Sequence, residues 1–133
     1  MTARIGDALK LLTTHSGACV GAGVSEDAIS SAESALGIRF PAEYAEYLRR
    51  LNYAELHGDP LFGIHEDPGL DWCDVVEQNK EPPFAVPGYL AFFRSDLDGV
   101  CYIDLGSGEV FRADFAAPAW GSLAECIVDI VGA

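Results

Sequence analysis

Between Ser25 and Ile64 a capped helix, a glycine stop, a proline start and a second helix follow one another with almost no connecting chain. Ser25 is placed to cap the first helix, and Glu26 and Asp27 sit in its first turn, where the helix dipole favours negative charge. Ile29, Ala32 and Leu36 then fall on one face at spacings of three and four. Gly37 ends the helix, because glycine takes the left-handed conformation without a side-chain clash, and Ile38 is set to fold back on the last turn. Pro41 opens the next helix, where a missing N–H costs nothing, and Tyr44, Tyr47, Leu48 and Leu51 form its apolar stripe. Phe40, Tyr44, Leu48 and Leu51 are thereby predicted to be core residues, joined to the face of Ile29 and Leu36.

The flanking chain predicts fewer helices and more strand. A helix is expected over about Ile5 to Thr13, with Ile5, Ala8, Leu9 and Leu12 on one face, and the glycine-rich Gly17 to Gly23 segment reads as a flexible connection. Asp71 is placed to cap a helix carrying Trp72, Val75 and Val76, after which Pro82-Pro83 and Pro87-Gly88 force an extended loop. From Tyr89 the period changes: Tyr89 to Arg94, Val100 to Leu105 and Val110 to Phe115 are rich in aromatic and β-branched residues. Asp98-Gly99 is the expected tip of the first hairpin and Gly106-Ser107-Gly108 the second reversal. Ser122 and Glu125 are spaced as a capping box for a last helix with Leu123, Cys126, Ile127, Ile130 and Val131 on its apolar face. The expected class is therefore α+β, an antiparallel meander with helices packed on it. A chain of 133 residues fits a single domain over 1–133, long enough to bury roughly two thirds of its unfolded surface without a metal or disulfide.

Charge narrows the partners. The net charge is −13, but residues 1–50 hold six acids and five bases, whereas residues 51–133 hold fifteen acids and three bases. Glu55, Asp59, Glu66, Asp67, Asp71, Asp74, Glu77 and Glu81 have only Lys80 among them. Such a surface repels nucleic acid and anionic membrane and speeds encounter with a basic protein. Cysteines at 19, 73, 101 and 126 form no CxxC pair, and Met1 to Leu12 lacks a long apolar run, so the chain reads as cytoplasmic and reduced. No stretch approaches the roughly 20 apolar residues of a membrane helix.

Each candidate catalytic or ligand-binding motif in the chain has a plainer reading. Cys19 lies four residues from His15, the residue types of a nucleophile and its base, but on a glycine-rich segment without an orienting third group. The other cysteines fall on apolar patterns and read as small buried hydrophobes. His57 and His65, with Asp59, Glu66 and Asp67, offer metal donors, yet the histidines are eight apart with no matched second pair. Asp96-Leu97-Asp98-Gly99 fails as a calcium loop, since Cys101 occupies the position that must be glycine. Neither Gly21-Ala22-Gly23 nor Gly106-Ser107-Gly108 has the lysine of a phosphate-cradling loop. The aromatics Tyr44, Tyr47, Phe92, Phe93, Tyr102 and Phe111 lack the interleaved bases of a nucleic-acid platform and are read as core. No catalytic residue, cofactor or metal is expected.

Leu36-Gly37-Ile38-Arg39-Phe40-Pro41, then Tyr44, Tyr47 and Leu48, then Leu61-Phe62-Gly63-Ile64, with Tyr89-Leu90-Ala91-Phe92-Phe93 through Val110-Phe111 beyond, together resemble the SUKH superfamily over about residues 24–128. One departure is Asn52-Tyr53, where the family often has Asn-Gly. The resemblance implies a small α+β domain and a non-enzymatic immunity protein that binds and neutralises a cognate polymorphic toxin, often a nuclease or deaminase. Asp59, Glu66, Asp67, Asp71, Asp74 and Asp98 are the expected contacts to such a basic partner, chosen for their density of unneutralised charge. Two alternatives accompany this expectation: a housekeeping regulatory module, as the superfamily's fungal cell-wall regulator suggests, and a small cysteine hydrolase using Cys19.

Overall fold

The computed structural model describes residues 3–97 and 99–132. Helix α1 (Ile5–Thr14) is followed by strand β1 (Ala18–Val20), α2 (Glu26–Leu36), α3 (Ala42–Arg50) and the hairpin β2 (Ala54–Leu56) and β3 (Asp59–Leu61). A 3₁₀ turn over Pro68–Cys73 and the short α4 (Val75–Gln78) lead to β4 (Tyr89–Ser95), β5 (Gly99–Asp104), β6 (Val110–Arg112) and β7 (Pro118–Trp120), and α5 (Leu123–Gly132) follows. The seven strands form one antiparallel sheet in chain order, a longer meander than the three strands expected. Helices α1, α3 and α5 pack on one another and share an apolar cluster with the sheet, while α2 leans on α3 and α4.

The Ser25 to Ile64 signals appear as expected. Ser25 Oγ accepts from Ala28 N at 3.2 Å, and Gly37 takes a left-handed φ of 67° while the Ile38 and Gly37 amides return to the Glu33 and Ser34 carbonyls. Phe40, Tyr44, Leu48, Leu51 and Ile29 are buried in the common cluster, against which Leu36 packs half-exposed. Two phenols bolt α3 to the sheet. Tyr44 Oη donates to the Phe62 carbonyl at 2.6 Å and Tyr47 Oη to the Leu61 carbonyl at 3.2 Å. Complete burial pushes both phenols well above the usual tyrosine range, which keeps them protonated and donating.

A second set of latches holds the chain just beyond β3. Asn52, at a positive φ of 56°, donates from Nδ2 to the Ile64 carbonyl at 2.9 Å and accepts the Ile64 amide on Oδ1 at 2.8 Å. The Asn-Gly of the family is thus met with asparagine alone. Gly63 makes that approach possible, since a Cβ there would lie 1.7 Å from the Asn52 carbonyl oxygen. Asn79 acts similarly on β4: its amide donates to the Ala91 carbonyl and accepts from the Ala91 N–H, each at 2.9 Å, beside a bulge between Ala91 and Phe93. The bulge allows the consecutive Phe92 and Phe93 both to be buried.

Several expectations are corrected. The segment expected to be a flexible connection carries β1, paired to β2 with Cys19 opposite Glu55. The expected cap at Asp71 is replaced by two others: Asp67 caps the 3₁₀ turn and Asp74 caps α4, each meeting an amide two or three residues on. Gly99 is not at the centre of the first reversal but opens β5 opposite Ser95, at a φ of 74°, so the turn falls one residue earlier than expected; Asp98 itself lies outside the described residues. The third expected strand stops at Arg112, and Phe115, at a φ of 52°, packs its ring against Tyr89, Tyr102 and Phe111. Ser122 Oγ does accept from Glu125 N at 3.1 Å, but the glutamate reaches back to Gly121 N instead of closing the box on Ser122.

Candidate partner-binding surface

The acids of this chain divide by what their carboxylates already hold. Glu33 accepts the Phe40 amide at 2.7 Å, Glu43 accepts the first turn of α5 at Ala124 N, Asp104 gathers the amides of the β5–β6 turn, and Asp129 holds the Trp120 indole at 2.9 Å. Glu26 and Glu46 are neutralised by Arg49 and Arg50 at 2.6–3.2 Å, and Glu77 by Lys80 at 2.7 Å. These groups build the fold or cancel charge.

The acids expected at a partner are mostly of another kind. Glu66 and Asp71 are exposed, and their carboxylates meet no donor among the described residues. Asp67 is exposed and accepts only the Gly69 amide at 2.9 Å, and Asp59, half-buried at the start of β3, only a long contact of 3.4 Å from Asp96 N. None of these four is in an ion pair among the described residues. Asp74 does not belong with them. It is 4% exposed, with one carboxylate oxygen on the His65 amide at 2.7 Å and the other on the Glu77 amide at 2.9 Å, so its charge is spent inside the molecule and it is withdrawn as a contact. Asp98 lies outside the described residues.

Local structure explains the display. The 3₁₀ turn needs Asp67 at its cap and Pro68 in its first turn, which throws Glu66, Asp67 and Asp71 outward while Cys73 points in. Burial pushes the Cys73 thiol up to about 11, leaving an inert apolar filler. Behind Glu66 runs an open groove of about 530 Å³, floored by Ala28, Ser31, Ala32 and Ala35 of α2 and rimmed by Asp27, Glu66 and Glu77. On the other side, Arg94 Nη2 donates to the Trp72 carbonyl at 3.1 Å and so ties the 3₁₀ turn to β4. Asp59 ties the β2–β3 turn to Asp96 at the end of the same strand.

Two side chains on this surface escaped the sequence reading. Trp72 is 43% exposed and Leu97 is 91% exposed. The sequence sets Trp72 on an expected helix face, and nothing in an apolar residue's identity says whether it points in or out. The signal for Leu97 was present, in a large apolar residue set between two aspartates at a turn.

The remaining candidates are dispersed. His15 Nδ1 accepts the Gly17 amide at 3.0 Å and its ring meets His57 edge-on, while Cys19 sits exposed on β1. His57 is in the β2–β3 turn; His65 lies under the Tyr53 ring with its Nε2 buried and unpartnered. Among the described residues no three His, Cys, Asp or Glu side chains gather to hold a metal, and no helix is long and apolar enough to cross a membrane.

No curated protein matches the chain. The family model described as SMI1 / KNR4 family (SUKH-1) matches residues 23–125, from the approach to α2 into α5, so that α1 and β1 lie outside the match although α1 packs on α5 and β1 pairs with β2. With well over half of its length in that match, and with the α+β meander that the resemblance implied, the chain belongs to the SMI1/KNR4 family (SUKH-1).

Proposed function

We propose that this protein is a cytoplasmic, non-enzymatic immunity protein that neutralises a basic toxin domain, one acting on nucleic acid, by binding it through the acidic surface around Asp59, Glu66, Asp67 and Asp71. The observation that carries the reading is that the exposed Glu66 and Asp71 carboxylates meet no donor and that none of Asp59, Glu66, Asp67 and Asp71 has a counter-ion among the described residues, whereas Glu33, Glu43 and Glu46 are held by amides and arginines. Uncompensated charge destabilises a compact chain through self-repulsion, and it is worth keeping where a partner of opposite sign arrives. A toxin that handles nucleic acid presents such a partner, since its cleft must neutralise phosphates. Membership of the SUKH-1 family supports the same reading.

The test is direct. The purified protein is mixed with the product of the neighbouring toxin gene, and cells expressing that toxin are scored for survival with and without this chain. The reading expects a complex at or below micromolar concentration and restored growth. If neither flanking gene encodes a basic toxin domain, or the pair fails to associate, the reading falls; a complex without protection returns the chain to the class of regulatory binding modules.

A further inference from the structure

Among the described residues three large apolar side chains stand in solvent: Leu11 on α1, and Trp72 and Leu97, both on the acidic surface. Neither Trp72 nor Leu97 belongs to the buried apolar cluster. The chain's other tryptophan shows what a structurally employed indole looks like here. Trp120 lies under the Arg112 guanidinium at 4.7 Å and donates Nε1 to Asp129, whereas the Trp72 indole N–H finds no acceptor among the described residues.

Both exposed residues are held in place. Arg94 donates to the Trp72 carbonyl at 3.1 Å, and Leu97 follows three residues later, its own N–H donating to Ser95 Oγ at 3.1 Å. Acids adjoin them: Asp71 precedes Trp72, Asp96 precedes Leu97, and Asp59 accepts from the Asp96 amide. An exposed aromatic and an exposed leucine, each next to an acid in the chain, match the make-up of a protein interface, in which a few large apolar groups hold and a charged rim orients. The same negative charge repels nucleic acid and anionic membrane.

We propose that Trp72 and Leu97 are the apolar anchors with which this surface grips a basic protein, the surrounding acids setting the speed of encounter and the anchors setting how long the complex lasts. The proposal rests on the partner-binding reading above. Anchors are desolvated only after docking, so their loss acts on dissociation, whereas the acids act on approach.

The probe is the toxin domain encoded beside this gene, titrated against the full chain. Trp72→Ala and Leu97→Ser are each expected to raise Kd roughly tenfold or more through faster dissociation, with the salt dependence of association unchanged. Thermal melts coincident with the wild type exclude misfolding as the cause. As a readout independent of these losses, wild-type tryptophan emission is expected to shift to the blue and resist acrylamide on complex formation, and that of Trp72→Phe is expected not to. A wild-type complex that both variants match in lifetime, with Trp72 still open to quencher, overturns the anchors and leaves the acidic surface standing. Absence of any wild-type complex overturns both.

Discussion

The two sides of the 62–75 segment are built on opposite principles. On the inner side, from Asn52 through Gly63 to Asn79, the chain is clasped at close range: the amides of Asn52 and Asn79 each hold the N–H and C=O of a distant residue, and Tyr44 and Tyr47 donate to consecutive carbonyls of β3 and its extension. On the outer side, the Glu66 and Asp71 carboxylates meet no donor among the described residues, and Trp72 and Leu97 are exposed. The inner side determines the fold and tolerates little change. The outer side is free of that duty, and its charge and apolar surface are available for recognition.

If that division is right, substitutions on the inner side should cost stability and those on the outer side should not. The largest effect is expected from Leu48→Ala, because Leu48 is wholly buried in the common cluster: about 2–5 kcal/mol, read from denaturant melts. A loss well below about 1 kcal/mol would mean that the core is not organised around α3. Asn52→Ala comes next at about 1–3 kcal/mol, since it strands the amide and carbonyl of Ile64 and places alanine at a positive φ.

The sharpest comparison is between two aspartates three residues apart. Asp74→Ala should cost about 1–2 kcal/mol by uncapping α4 and freeing the His65 amide. Asp71→Ala should stay within about 0.5 kcal/mol of the wild type, its carboxylate being unpartnered. Equal losses would erase the distinction on which the assignment of roles depends.

The smallest effect concerns pH. Burial holds His65 below the usual histidine range, with the Asp74 carboxylate pulling the other way, and its Nε2 has no partner to stabilise a proton. The unfolded chain, with a histidine pKa near about 6.5, therefore takes up the proton first, and stability should decline as pH falls from about 6.5 toward the folded value. His65→Gln should flatten that part of the melting profile; an unaltered slope would show that the imidazole titrates alike in both states.

How far the sequence led follows the same physics. Helices α1, α2, α3 and α5 are legible because nine or more residues repeat a 3.6-residue period, and α2 and α5 carry serine caps as well. Strands β1, β2, β3 and β7 have three residues each, too few to show alternation, and β3 contains Pro60. The His57-Gly58 turn between β2 and β3, with φ of 52° and 89°, has the mirror-image geometry that glycine marks, but histidine in its first place hides it. In the candidate site, charge density singles out Asp59, Glu66, Asp67 and Asp71 as proposed contacts. It could not separate Asp74, because a capping aspartate and a solvated one have the same composition and differ only in what lies beside them.

The central claim, that the acidic surface is the recognition surface, is tested most directly by reversing it while sparing the fold. A chain carrying Glu66→Lys and Asp71→Lys, which leaves the Asp67 cap in place, is compared with the wild type for melting temperature and for association with the neighbouring toxin domain over a series of salt concentrations. The expected result is a nearly unchanged melt, association at least about tenfold slower at low salt, and loss of the wild type's acceleration as salt is lowered. A variant that folds, binds as fast as the wild type and keeps its salt dependence would contradict the account.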